Sequence, residues 1–120
     1  MATSIIQSRA DYVTEQGTSG IWTYRKWKSG IKECWANTTT GSAYTMEANG
    51  ALFTSTPHFE QALPSGLFTN TPSVQLMVRT AGGMWLKATG GTTAEIIVYQ
   101  IIRTNTTVVS LNVSFYCIGN

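Results

Sequence analysis

One stretch, Gly20 to Trp35, constrains the fold of this chain more than any other. It holds three of the four tryptophans, four of the eight basic residues and one of the two cysteines. Aromatic and apolar residues recur at alternate positions along two arms, and Ser29-Gly30 separates the arms. Because glycine adopts positive φ without a steric clash, Gly30 permits a tight reversal of the chain. The stretch is therefore predicted to be a β-hairpin.

The length of the loop decides the register of this hairpin. A two-residue Ser29-Gly30 loop places Lys26 opposite Glu33, and a cross-strand pair of this kind contributes about 0.2–1 kcal/mol. A three-residue loop instead places Lys26 opposite Lys32, although it pairs Arg25 with Glu33. The two-residue register is preferred. Both faces of the hairpin then mix apolar and charged residues, so both are expected to be covered at least in part.

Composition favours an all-β protein. Only 12% of the residues are charged, about half the usual share of roughly 25%, and threonine and serine take their place. Threonine suits a pleated, half-exposed surface. At 120 residues the chain is predicted to form one domain, residues 11–120, after a lead-in or attachment segment at 1–10. With so few charged residues, little prevents the exposed edges of the sheets from pairing with another chain. An oligomer, which buries such edges, is therefore predicted.

Alternating apolar and polar residues predict further strands, while no helix and no internal repeat is indicated. The strands are expected at 11–16, 43–46, 51–54, 73–80, 83–89, 94–104 and 109–117, with turns at 17–20, 49–50 (type I′), 81–83 and 90–91 and a polar loop at 37–42. Residues 55–72 contain Pro57 and Pro64 and are expected to form a long connection that cannot be a central strand. Eight or nine strands fit an antiparallel β-sandwich of jelly-roll type, with a barrel as the alternative.

Charge and hydropathy exclude several partners. A net charge of +2 is too small to indicate nucleic acid or an anionic membrane as a partner. No apolar run reaches the roughly 20 residues that a membrane span needs, and residues 1–10 lack the pattern of a secretory signal. Cys34 and Cys117 lie inside predicted strands and are expected to be buried free thiols, as in a chain made in the reducing cytoplasm of a cell.

The sequence offers no catalytic constellation. His58 and Glu60 lie together on the long connection, but no nucleophile accompanies them, so a solvated loop histidine is expected. One histidine and two strand cysteines do not supply the spacing of a metal site. We therefore expect a protein that is not an enzyme and has neither a cofactor nor a metal.

Aromatic residues are the remaining chemical resource. Exposed tryptophan and tyrosine rings stack on the C–H faces of sugars, while polar neighbours bond the hydroxyl groups. The alternative is that these rings belong to the core or to an interface, where most aromatic area goes. The candidate ligand-binding residues are Arg25, Trp27, Tyr44, Trp85 and Lys87.

The hairpin sequence also resembles a motif of tailed-phage and prophage proteins. The motif has the form Gly-x-Trp-x-Tyr-x-Lys-Trp, a Ser/Asp-Gly turn, and then Glu-Cys-Trp, and residues 20–35 fill every element of it. The connection at 63–74 and the ending at 115–120 are similar to the corresponding parts of that family, except that Asn120 stands where arginine is usual. The family comprises C-terminal domains of tail fibres and minor tail proteins.

The resemblance implies a small all-β knob, homotrimeric, at the tip of a fibre that contacts the bacterial surface. Its partners would be two further copies of the chain, an upstream fibre or tail protein, and a surface glycan or protein receptor. The protein would be made in the bacterial cytoplasm and assembled into the virion. Because the motif is structural, it carries over no ligand residues and assigns Trp22, Tyr24 and Trp35 to packing.

Three functional hypotheses follow. The first is a non-enzymatic receptor-binding tip that recognises a glycan, and the second is a purely structural virion component such as a baseplate, decoration or trimerising knob. A glycan-degrading enzyme is the third, and it would require two carboxylates to converge. If a receptor site exists, the loops at 37–42, 47–50 and 55–72 are preferred over the hairpin.

Overall fold

The computed structural model describes residues 11–79 and 84–120, which form ten β-strands in two antiparallel sheets. The predicted lead-in at 1–10 and the predicted turn at 81–83 lie outside these residues. The strands are β1 (Val13–Ser19), β2 (Trp22–Trp27), β3 (Lys32–Thr39), β4 (Thr45–Asn49), β5 (Leu52–Thr56), β6 (Phe59–Ala62), β7 (Ser73–Val78), β8 (Met84–Ala88), β9 (Ile96–Arg103) and β10 (Asn112–Gly119).

The first sheet has the strand order β1-β2-β3-β10-β7. Its alternating residues separate into two faces, as the sequence period of two requires. The inner face is buried, and it includes Trp22, Cys34, Phe115 and Cys117. The outer face carries the residues between them, which are mostly polar, aromatic or charged, with the exposed Met77 and Ile118 among them.

The second sheet is organised around β9. Strands β5 and β6 follow one another along one edge of β9, β8 pairs with the other edge, and β4 pairs with β5. At the step between β5 and β6, the hydroxyl of the buried Ser55 accepts a hydrogen bond from the Ile101 N–H at 2.9 Å. That bond satisfies a buried backbone donor where the ladder is interrupted. The all-β antiparallel sandwich expected from the sequence is confirmed.

A chain of aromatic rings joins the two sheets. Phe115 of the first sheet lies 5.5 Å from Tyr99 of the second between ring centroids, in an edge-to-face arrangement. Trp22 continues this chain beyond Phe115, and Phe59 continues it beyond Tyr99. The Trp22 indole N–H also donates to the Ala62 carbonyl at 2.8 Å. Buried rings with satisfied polar groups fix how the sheets sit against each other.

The predicted hairpin at residues 20–35 is present, but its preferred register was wrong. Arg25 pairs with Glu33, and Lys26 pairs with Lys32. The Trp27 N–H donates to the Ile31 carbonyl at 2.8 Å, which closes a three-residue loop with Gly30 at φ +96°. This is the register that places like charges opposite each other.

The physical reason is the environment of Glu33. Its carboxylate, on the outer face, accepts hydrogen bonds from Trp27 and Tyr116 and forms an ion pair with Arg25 in this register. Hydrogen bonds to a charged group contribute about 1.5–3 kcal/mol each. A pair of like charges across a ladder costs only about 0.2–1 kcal/mol. The carboxylate network therefore outweighs the repulsion between Lys26 and Lys32.

Several predicted boundaries also differ from the structure. Strand β6 was missed because it lies in the connection bounded by Pro57 and Pro64, where it pairs with β9. Residues 17–19 continue β1, and the polar stretch at 37–42 is strand as far as Thr39. The β4–β5 turn has Gly50 and Ala51 at its centre with positive φ at Gly50 alone, so the predicted type I′ turn at 49–50 was wrong.

The two cysteines lie directly opposite each other on the inner face of β3 and β10. Cys34 and Cys117 are fully buried and free, as expected for structural thiols. A hydrogen bond with Cys117 and burial together raise the pKa of the Cys34 thiol. A thiol held protonated in this way is a small hydrophobic residue rather than a nucleophile.

Candidate functional site

Two of the predicted ligand residues, Arg25 and Trp27, come together on the outer face of the first sheet. Alternation along β2 directs both side chains outward. The hairpin register brings Glu33 of β3 opposite Arg25, and Trp35 lies opposite Tyr116 of β10. These five residues, Arg25, Trp27, Glu33, Trp35 and Tyr116, are called the Glu33 cluster.

Glu33 is the centre of the cluster and is only 4% exposed. Its Oε1 accepts a hydrogen bond from the Trp27 indole N–H at 2.9 Å and lies 2.7 Å from Arg25 Nε. Its Oε2 accepts a hydrogen bond from the Tyr116 hydroxyl. A carboxylate removed from water in this way needs donors on both oxygens, and the cluster supplies them.

The network changes the acidity of its members. Burial raises the pKa of Glu33, but the hydrogen bonds from Tyr116 and Trp27 and the charge of Arg25 outweigh burial and hold this pKa below its usual value. The hydrogen bond to Glu33 also raises the pKa of Tyr116. Glu33 is therefore charged and Tyr116 neutral at pH 7.

Arg25 lies between the two tryptophans of the cluster. Its guanidinium carbon is 4.8 Å from the Trp35 ring centroid and 5.7 Å from that of Trp27, which are cation–π distances. The Trp27 N–H and the Arg25 Nε already face Glu33. The polar groups and ring faces that could bind a sugar are thus largely engaged with one another inside the cluster. The main effect of the cluster is to stabilise the hairpin.

Tyr44, a third predicted ligand residue, lies in the core. It is 6% exposed, and its ring contacts Phe59 at 5.1 Å between centroids. Its hydroxyl donates to the Val109 carbonyl at 2.7 Å and accepts from the Val109 N–H at 3.0 Å. Neither its ring nor its hydroxyl faces solvent, so Tyr44 acts in packing.

The last two predicted residues, Trp85 and Lys87, lie on the outer face of the second sheet. Trp85 is 55% exposed and pairs with Ile102 of β9, while the exposed Lys87 pairs with Gln100. The structure therefore distributes the five predicted residues over two outer faces and the core. They do not form a single site.

A groove that the sequence did not reveal lies between the β1–β2 hairpin and the connection after β6. Its cavity has a volume of about 250 Å³. The lining residues come from both segments and most of them are polar: Thr18, Ser19, Tyr24, Lys26, Pro64, Ser65, Gly66 and Leu67. Only tertiary packing brings these two segments together, so no local pattern could have predicted the groove.

Within residues 11–79 and 84–120, no three His, Cys, Asp or Glu side chains come close enough together to hold a metal ion. None of the described segments is a helix long and apolar enough to cross a membrane.

Comparison with known proteins gives a likeness at the level of the fold. No protein-family model matches the sequence, and no curated protein matches it. Among solved structures, an N-truncated R1-type pyocin tail fibre has a similar fold, with a TM-score of 0.59 at 9% sequence identity. The likeness covers 100% of this chain and 97% of that chain. The chain therefore has the fold of a tail-fibre domain.

Proposed function

We propose that this protein is the tip domain of a phage tail fibre, which forms a homotrimer and attaches the virion to a glycan on the bacterial surface. The observation that carries the proposal is the full-length likeness of the fold to a tail fibre. The resemblance of the hairpin motif at residues 20–35 to tail-fibre proteins agrees with the proposal, but it stays a prediction, since no family model matches the sequence. The domain acts by binding and has no catalytic role or cofactor.

Trimer formation is supported by the outer face of the second sheet. Trp85 is more than half exposed there, opposite the half-buried Ile102. With only 12% of its residues charged, the chain has little to keep such a surface soluble as a monomer. A closed three-fold interface would bury this apolar surface.

Sedimentation velocity or mass photometry of the purified chain tests the assembly. A trimer is expected, and Trp85→Lys should shift it towards monomer because a buried interface does not accommodate an unpaired charge. Met77→Lys is the matched control, since Met77 is 65% exposed on the outer face of the other sheet. A wild-type monomer at all concentrations would refute this part of the proposal.

Receptor attachment is tested by the adsorption of fluorescently labelled protein to a panel of bacterial strains. Adsorption to some strains is expected, together with its loss from mutants of those strains that lack surface polysaccharide. Adsorption that survives removal of the polysaccharide would point to a protein receptor instead.

A purely structural virion component is the second candidate. The Glu33 cluster favours it, because the most aromatic part of the motif is internally satisfied and stabilises the hairpin. A stable trimer that adsorbs to no strain and binds no arrayed glycan would support this alternative over the receptor-binding tip.

A further inference from the structure

We infer that the groove between the β1–β2 hairpin and residues 64–67 binds a saccharide that carries an anionic group, a carboxylate or a phosphate, with Lys26 pairing with the anion. The inference rests on the proposed function and assigns its glycan to a site. That site lies outside the Glu33 cluster and the exposed face of β8.

The shape of the groove suits a short carbohydrate chain. Its cavity of about 250 Å³ lies just under the range of roughly 300–1,000 Å³ that is usual for pockets that hold drug-sized ligands. A second cavity of about 330 Å³ shares Ser19 and Pro64 with it and continues towards Gly20 and Gln61. The two cavities are neighbours along the same segments, an arrangement that suits successive sugar rings.

One wall of the groove is a tyrosine ring held in place before any ligand arrives. Tyr24 lies directly opposite Gly17, and a Cβ at residue 17 would be 2.8 Å from the Tyr24 hydroxyl oxygen. The ring thus packs on backbone that only glycine leaves open. Its hydroxyl donates to Glu15 Oε2 at 3.0 Å, which fixes its orientation. A ring ordered in advance loses little entropy when a sugar stacks on it.

The charges at the groove are unbalanced. Lys26 lines the groove, and Lys32 lies directly opposite it on the same face of the hairpin. Lys26 Nζ is 3.5 Å from Glu15 Oε2, but both side chains are well exposed, at 38% and 50%, so water weakens this ion pair. Lys26 therefore holds its negative partner loosely and has a second positive charge opposite it, and an anionic ligand would offset the excess.

The hairpin register, which the Glu33 cluster stabilises, brings these two charges together at the groove. The alternative register would have paired Lys26 with Glu33 and separated the two lysines. Local features that are unfavourable to stability occur preferentially at functional sites. Here an unfavourable like-charge pair borders a cavity with polar walls and an ordered aromatic ring.

The inference is tested by titrating the full chain with matched pairs of probes, followed by calorimetry or NMR. Tri-galacturonic acid is compared with its neutral methyl ester, and mannose 6-phosphate with mannose, so that the carboxylate and the phosphate are distinguished. At least one anionic probe should bind and perturb Tyr24, and its neutral partner should bind about tenfold more weakly, the factor expected for one charged hydrogen bond. Added salt should weaken binding of the anionic probe.

Lys26→Gln is the decisive variant, and Lys28→Gln, in the exposed hairpin loop, is its control. Lys26→Gln should lose the preference for the anionic probe and reduce adsorption to cells, whereas Lys28→Gln should retain the preference and the adsorption of the wild type.

Equal binding of charged and neutral probes, no binding of any probe, or unchanged adsorption of Lys26→Gln would overturn the inference. If the wild type adsorbs and Lys26→Gln adsorbs equally well, the proposed function survives without this site. If the wild type adsorbs to nothing, the proposed function itself fails.

Discussion

Arg25 and Glu33 face each other across β2 and β3, with Arg25 Nε 2.7 Å from Glu33 Oε1, and the carboxylate is nearly inaccessible to water although it lies on the outer face of a sheet. The neighbouring aromatic side chains Trp27, Trp35 and Tyr116 shield this carboxylate from water. In a buried sheet face, a second layer of the protein would do so. The hairpin is therefore stabilised by a polar network built from its own motif, and that network can be tested by removing its single negative charge.

Glu33→Gln is expected to lower the free energy of unfolding at pH 7 by about 1–3 kcal/mol. The amide retains the shape of the carboxylate but not its charge, so it weakens the bonds from Trp27 and Tyr116 and leaves Arg25 without its partner. Urea denaturation measures the change. Glu47→Gln is the control, since it removes the same charge at an exposed position of β4, and an equal loss in both variants would contradict the assigned role of the cluster.

The same carboxylate predicts how stability depends on pH. The pKa of Glu33 in the folded protein lies below its ordinary value of 4.5, so around that pH the unfolded chain binds more protons than the folded chain. Its stabilising contribution is therefore complete above about pH 4.5 and is lost as the pH falls through the folded pKa. Wild-type stability, followed by urea denaturation from about pH 6 to about pH 3, should fall more steeply than that of Glu33→Gln. Parallel curves for the two proteins would exclude this linkage.

The hairpin shows what sequence reasoning could and could not predict. Alternation and Gly30 were enough to predict its two strands, and the same period of two predicted most other strands. The register depended on Tyr116, which β10 brings to Glu33 from far along the chain. Pairwise charges within the hairpin favoured Lys26 opposite Glu33, and they were outweighed by a network that a local argument does not include.

Tyr44→Phe is expected to destabilise the protein by about 1–3 kcal/mol without affecting adsorption to cells. The substitution removes the hydroxyl that both donates to and accepts from the Val109 backbone, and it leaves those partly buried groups unpaired. Thermal unfolding and the adsorption assay together measure the two effects. Weaker adsorption of the folded variant would return Tyr44 to the candidate ligand residues.

Candidate ligand-binding residues were harder to predict than strands, because a residue can bind a ligand only if its side chain is exposed, and the sequence does not show exposure. Tyr44 and Trp85 look alike in sequence, as aromatic residues in short predicted strands near polar neighbours, yet one is buried and the other more than half exposed. The groove depends on where the connection at 64–67 packs against the hairpin. The sequence marked that connection as long but did not show which surface it meets.

Gly17→Ala is expected to displace the Tyr24 ring at little cost in stability. The added Cβ would lie 2.8 Å from the Tyr24 hydroxyl oxygen and 3.0 Å from the adjacent ring carbon, so the ring must shift. These atoms are the outer end of a half-buried side chain, which moves more easily than backbone. Gly90→Ala is the control, because nothing lies within 4 Å of a Cβ there. Urea denaturation gives the stability and the NMR shifts of Tyr24 report the ring position. Unchanged Tyr24 shifts in Gly17→Ala would show that the ring is not held against residue 17.

Lys32→Glu is expected to stabilise the protein, unlike most substitutions in a strand. It replaces the like-charge pair with Lys26 by an opposite-charge pair. The like-charge pair destabilises the sheet and the opposite-charge pair stabilises it, each by about 0.2–1 kcal/mol. The gain should appear in urea denaturation at low ionic strength and shrink as salt is added. Lys28→Glu makes the same charge change in the exposed loop and should leave stability nearly unchanged. A loss of stability in Lys32→Glu alone would mean that the two lysines do not repel each other.

If the groove binds an anion, Lys32→Glu should also bind the anionic probe more weakly than the wild type does. The substitution would then raise stability and lower affinity.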